Sequence, residues 1–138
     1  MKILNILTHP VVLIISFLLI LISGQHFGGF YLIYLLFALP HGGIHAIFGF
    51  TGILIILFSY YKFKGIRQYR IESFLNIAGL LFLLCSIFFF FYNDKQGYNY
   101  QTFDQVVPLI SLVLFAIISL FYLVSNFRNT SLSQSRNK

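Results

Sequence analysis

The chain has 138 residues, of which 59% are hydrophobic and 9% charged, and its formal net charge is +6. An ordinary soluble domain is about 25% charged, and a fold this small cannot hide so much apolar surface from water. These values exclude a water-soluble globular protein. The basic residues flank apolar blocks, a pattern that sets membrane orientation, so we expect a lipid bilayer as the surroundings and no nucleic-acid partner.

The first half of the chain has no Asp, Glu, Lys or Arg between Ile3 and Tyr61. Its first apolar block, residues 3–22, predicts a retained transmembrane helix, because apolar sequence resumes at residue 27 with no soluble domain to export, and a cleaved secretory signal is the alternative. The next block, residues 27–39, would form a helix of about 20 Å. That is short of the ~30 Å hydrocarbon core, and we therefore expect a re-entrant or interfacial segment there.

Three longer blocks complete the predicted bundle, at residues 44–61, 73–92 and 106–127. Each reaches or approaches the ~20 residues that a transmembrane helix needs. The sequence thus predicts an all-α integral membrane protein of four transmembrane helices plus the short segment, with five transmembrane helices as the alternative. This polytopic domain covers residues 1–127, and the Ser- and Asn-rich residues 128–138 are expected to form a disordered cytoplasmic tail.

Loop charges predict the orientation. Residues 62–72 carry four basic side chains and one acidic one, and residues 128–138 add three basic side chains, whereas residues 93–105 have a net charge of −1. The positive-inside rule places the two basic segments in the cytoplasm. We therefore expect a multi-pass protein of the cytoplasmic (inner) membrane with a cytoplasmic C-terminus and, in the four-helix arrangement, a cytoplasmic N-terminus.

A helix break is predicted where the second block meets the third. Pro40 lacks a backbone N–H and clashes with the preceding helical turn, and Gly42 and Gly43 favour bending. His41 lies inside this segment and His45 follows it.

Two interpretations of this segment remain open. On one helix His41 and His45 would lie one turn apart on one face, with His26 as a third imidazole, and could bind haem, a quinone or a metal ion. The other interpretation, which we favour, is that the small residues let a neighbouring helix approach closely. They are Gly42, Gly49 and Gly52.

Catalytic motifs are missing from the sequence. No Ser/His/Asp set, paired carboxylates or phosphate loop is present, and Cys85 is the single cysteine. Enzymatic activity by this chain alone is not expected. The leading interpretation is an accessory or scaffold subunit that packs against other membrane proteins or copies of itself. The alternatives are the redox-cofactor or metal-binding protein and a channel or carrier for a neutral or lipid-like solute.

Overall fold

The computed structural model describes the backbone of residues 6–23, 28–63 and 69–135, and their side chains apart from 69 and 129–135. Its helices are α1 (Pro10–Leu18), α2 (Tyr31–Ala38), α3 (Ile44–Phe63), α4 (Tyr69–Tyr92), α5 (Gln101–Asp104) and α6 (Val106–Ser135). Two short strands, β1 (Leu21–Ile22) and β2 (Gly29–Phe30), lie between α1 and α2. Single 3-10 turns follow α2 at Leu39–His41 and precede α5 at Tyr98–Tyr100.

Three of these helices contain segments long and apolar enough to cross a membrane, namely Ile44–Phe63, Arg70–Tyr92 and Val106–Arg128. Their outward surfaces carry large apolar side chains such as Leu54 and Leu120, which are 65% and 61% exposed. Such surfaces suit lipid and not water. The structure is therefore compatible with an all-α membrane protein.

The first apolar block does not form the uninterrupted helix that we expected over residues 3–22. Helix α1 begins at Pro10, where the Nδ1 atom of His9 accepts a hydrogen bond from the Val11 N–H at 3.3 Å, and it ends after nine residues at Leu18. The chain then becomes extended and pairs with β2 in antiparallel register, Leu21 opposite Phe30. An extended segment exposes its backbone groups, so this break needs partners elsewhere in the fold.

Distant side chains supply those partners. The Leu21 N–H donates to Ser111 Oγ at 2.8 Å, and the Ser23 N–H donates to Thr102 Oγ1 at 3.0 Å. Thr102 Oγ1 in turn lies 3.3 Å from the Ser23 carbonyl oxygen. Ile20 and Ile22 are buried beside these bonds. The extended segment therefore has its neighbours and hydrogen-bond partners within the protein, the condition under which a bilayer tolerates non-helical backbone.

Helices α3 and α4 form a closely packed hairpin built around glycine. A Cβ added at Gly52 would lie 2.8 Å from the Gly79 carbonyl oxygen, and one added at Gly79 would lie 2.5 Å from Ile56 Cγ1. The two backbones approach each other because neither position carries a side chain.

Helix α6 packs on the hairpin and on α1 through an inward stripe that includes Phe115, Ile118 and Tyr122. A polar contact also joins α4 to α6, where Asn76 Nδ2 donates to Asn126 Oδ1 at 2.9 Å. The helix continues to Ser135, into the segment for which a disordered tail was expected. No Gly or Pro follows Pro108 in α6, so no residue there ends the helix by its backbone preference.

Candidate functional site

A turn closed by two glycines connects α2 to α3. Gly42 adopts a left-handed conformation with φ 67°, which only glycine enters at little cost. The Gly43 N–H donates to the Ala38 carbonyl at 2.9 Å, and a Cβ at Gly43 would lie 2.8 Å from Ala38 Cβ. Pro40 lies in the 3-10 turn that precedes them. Helix α3 starts afresh at Ile44.

His41 belongs to this turn and not to α3. Its side chain is exposed, and its Nδ1 atom lies 2.9 Å from the Phe37 carbonyl oxygen, so the imidazole satisfies a carbonyl near the end of α2. The left-handed Gly42 separates His41 from His45, and the two histidines therefore do not occupy positions i and i+4 of one helix. The shared helical face on which the two-imidazole hypothesis depends is not formed.

His45 lies in the first turn of α3 and is half-buried. Its ring packs edge-on against Phe90, with the ring centroids 5.3 Å apart. Its backbone carbonyl accepts a hydrogen bond from Ser86 Oγ at 2.6 Å. His45 is thus fixed against α4 by both its ring and its backbone.

Ser86 is the centre of a buried hydroxyl cluster that joins α2, α3 and α4. The Tyr31 hydroxyl lies 2.9 Å from Ser86 Oγ. Because Ser86 donates its own proton to the His45 carbonyl, Tyr31 donates to Ser86. Both side chains are buried, at 1% and 0% exposure. A carbonyl cannot take up a proton as a catalytic base does, so this chain of hydrogen bonds positions helices and does not activate Ser86 as a nucleophile.

The predicted packing glycines separate into two groups. Gly49 faces Ser86 and Leu35, with an added Cβ falling 2.9 Å from Ser86 Oγ, and Gly52 faces the α4 backbone at Gly79. Gly42 takes no part in this contact, since among the described residues no atom lies within 4 Å of a Cβ built there. Its role is the turn.

The described residues contain no group of three or more His, Cys, Asp or Glu side chains placed to hold a metal ion. His26, the third imidazole of the cofactor hypothesis, lies outside the described residues. The haem, quinone or metal site therefore stays a prediction, for which neither His41 nor His45 provides supporting geometry.

Sequence reasoning missed the hydroxyls that organise the fold, namely those of Tyr31, Ser86, Thr102 and Ser111. One signal for Ser86 is present in the sequence. It follows Gly79 by seven residues, so both fall on one face of α4, and the matching small residues of α3 are Gly49 and Gly52. No comparable local signal marks Thr102, because its partner Ser23 is 79 residues away.

No protein-family model matches this chain, and neither the curated proteins nor the solved structures include a significant match to it.

Proposed function

We propose that this protein is an accessory or scaffold subunit of a membrane assembly, which packs laterally against other membrane proteins or copies of itself. The observation that carries the proposal is the contrast between a hydrogen-bonded interior and a large apolar exterior. Within the described residues, the buried hydroxyl cluster joins helices to one another. By contrast, only 22% of the most apolar part of Val106–Arg128 is buried inside the protein. The surface with the most room for a partner is thus α6.

The proposed topology has four passes, the first of them broken. Nine helical residues of α1 cover about 14 Å, and the residues that follow, which include the extended Leu21–Ile22, lengthen the segment toward the thickness of the hydrocarbon core. Contacts at the two ends support this. The His9 ring packs on Tyr60 near the end of α3, with centroids 5.2 Å apart, and Ser23 bonds to Thr102 beyond the far end of α4.

Helix α2 fits the short re-entrant or interfacial segment of this topology. Tyr31 and Tyr34 both pack against Phe90, near the end of α4, with ring centroids 5.1 and 5.3 Å away. At eight residues, α2 spans about 12 Å, too short to cross the ~30 Å hydrocarbon core. In the proposed orientation the protein lies in the inner membrane with both termini in the cytoplasm. The difference in charge between the two ends of the helix bundle supports this orientation.

Site-specific photo-crosslinking in native membranes tests the accessory role. A photoreactive residue at Ile117, which is 44% exposed on α6, is expected to give a discrete adduct with a protein partner or a second copy. The matched control is Phe115, two residues away and 2% exposed, which should give none. Equivalent probes at Leu54 and Leu81 report on α3 and α4. If all three outward positions yield only lipid adducts, the accessory role is wrong.

A carrier for a neutral or lipid-like solute is the second candidate, and a separate observation favours it. Transporters often build substrate sites from discontinuous transmembrane helices, and here an extended segment at Leu21–Ile22 interrupts the first apolar block inside the bundle. Purified protein in liposomes should then accelerate the entry of a neutral solute such as glycerol. The control is Thr102→Val, which removes the hydroxyl bound to Ser23. Flux equal to that of protein-free liposomes contradicts this candidate for the solute tested.

A further inference from the structure

One end of the bundle carries exposed basic side chains. Lys62 lies at the end of α3 and Arg70 at the start of α4, and both side chains are exposed. The whole sequence contains three acidic residues. Two of them, Asp94 and Asp104, lie beyond the opposite end of α4, which leaves Glu72 alone at the basic end.

The ammonium group of Lys62 lies over aromatic rings near this end, within the range of a cation–π contact. Its Nζ atom lies 5.0 Å from the centroid of the Phe58 ring and 5.8 Å from that of Phe63. Phe58 is 54% exposed and faces the region where lipid chains would lie. Lysines at helix ends lie with their stems on apolar surface and their ammonium groups in the polar headgroup layer.

No carboxylate in the described part of the chain forms an ion pair with Lys62 or Arg70. The connection between α3 and α4 adds Lys64 and Arg67 to the sequence charge of this end. A net charge of this size next to a membrane attracts anionic lipids, at about 1 kcal/mol for each basic residue near the surface. Anionic lipids are therefore the partner whose charge complements that of Lys62 and Arg70.

We propose that Lys62 and Arg70 bind the phosphate-bearing headgroup of an anionic phospholipid, with its acyl chain against Phe58. The ammonium and guanidinium groups donate hydrogen bonds to phosphate oxygens, and the exposed Phe58 ring contacts the chain below. The inference rests on the proposed membrane location and does not depend on the accessory role.

The absence of tryptophan from the sequence allows a direct test. In the 138-residue chain with Phe58→Trp, the indole is the single tryptophan and lies beside Lys62. Quenching of its fluorescence by brominated phosphatidylglycerol, compared with brominated phosphatidylcholine, measures which lipid occupies this position. Two basic residues at about 1 kcal/mol each give about 2 kcal/mol, and we therefore expect about 30-fold enrichment of the anionic lipid. The matched control is Tyr92→Trp, 70% exposed at the other end of α4, where no enrichment is expected.

Charge-neutral variants complete the test. Lys62→Gln with Arg70→Gln in the Phe58→Trp background should reduce the enrichment to the value at Tyr92→Trp, with an unchanged circular dichroism spectrum. Raising the salt from 0.1 to 1 M shortens the screening length from about 10 to about 3 Å and should weaken the enrichment. Equal quenching by the two lipids at Phe58→Trp would overturn the proposal. Loss of the enrichment on adding inorganic phosphate, at constant ionic strength, would show that the site takes free phosphate and would also overturn it.

Discussion

The contact between α3 and α4 gives the most direct test of the packing, through the substitution Gly52→Ala. The added methyl carbon would lie 2.8 Å from the Gly79 carbonyl oxygen and 2.8 Å from Leu83 Cδ2. The first of these neighbours is backbone and cannot rotate away, and Leu83 is fully buried. The helices must therefore move apart by several tenths of an ångström before the alanine fits.

Two effects of opposite sign determine the expected change in stability. Overpacking of a well-packed core costs about 1–3 kcal/mol, and the backbone contact at Gly52 places this site near the upper end. Alanine in place of glycine inside a helix contributes about 1 kcal/mol in the stabilising direction. The net expectation is a loss of about 1–2 kcal/mol in the free energy of unfolding.

Reversible unfolding in mixed detergent micelles, followed by circular dichroism as the denaturing detergent fraction increases, measures this change. Ala116→Leu is the control, because Ala116 is exposed on α6 and the larger side chain there should have little effect on stability. If Gly52→Ala is instead stabilised by about 1 kcal/mol, the helical preference of alanine acts unopposed. That result would contradict the close packing of the α3 and α4 backbones at Gly52 and Gly79.

Three further predictions concern the hydroxyl partners and the orientation. Ser86→Ala should lower the free energy of unfolding by about 0.6–1.7 kcal/mol. A double-mutant cycle with Tyr31→Phe should show a positive coupling energy, and purely additive effects of the two substitutions would contradict the hydrogen bond between them. Thr102→Val should leave the Ser23 N–H unpaired at a cost of about 1–3 kcal/mol and accelerate its amide exchange, while Thr102→Ser should stay close to the parent protein. A cysteine at Asn99, in a Cys85→Ser background, should react with an impermeant reagent added to intact cells, and protection there would reverse the proposed orientation.

Features set by neighbouring residues could be predicted from the sequence. The turn between α2 and α3 depends on Pro40, on the positive φ of Gly42 and on the close contact of Gly43 with Ala38, all within six residues. Three of the long apolar blocks likewise correspond to helices able to cross a membrane. Such elements are encoded locally because each helix satisfies its own backbone hydrogen bonds.

Features set by distant residues could not be predicted. Nothing near Leu18 requires α1 to end, since the residues that follow are as apolar as those before. The extended segment exists because Ser111 and Thr102 bind its N–H groups from 90 and 79 residues away. The shared helical face expected for His41 and His45 is not formed, for a related reason. The spacing of His41 and His45 has a meaning only on a continuous helix, and the turn at Gly42 removes that condition.

The distribution of polar groups within the bundle indicates where a partner can act. Tyr31 and Ser86 bind each other and the His45 carbonyl, Thr102 binds Ser23, and Asn76 binds Asn126. A polar group unpaired at membrane depth costs free energy, so a ligand entering the interior would have to replace bonds that already exist. Buried Ser119, whose hydroxyl has no partner among the described residues, is an exception. A partner at the outward face of α6 or a lipid at Lys62 meets no such cost. The surface is therefore where this protein can bind without disrupting its own fold.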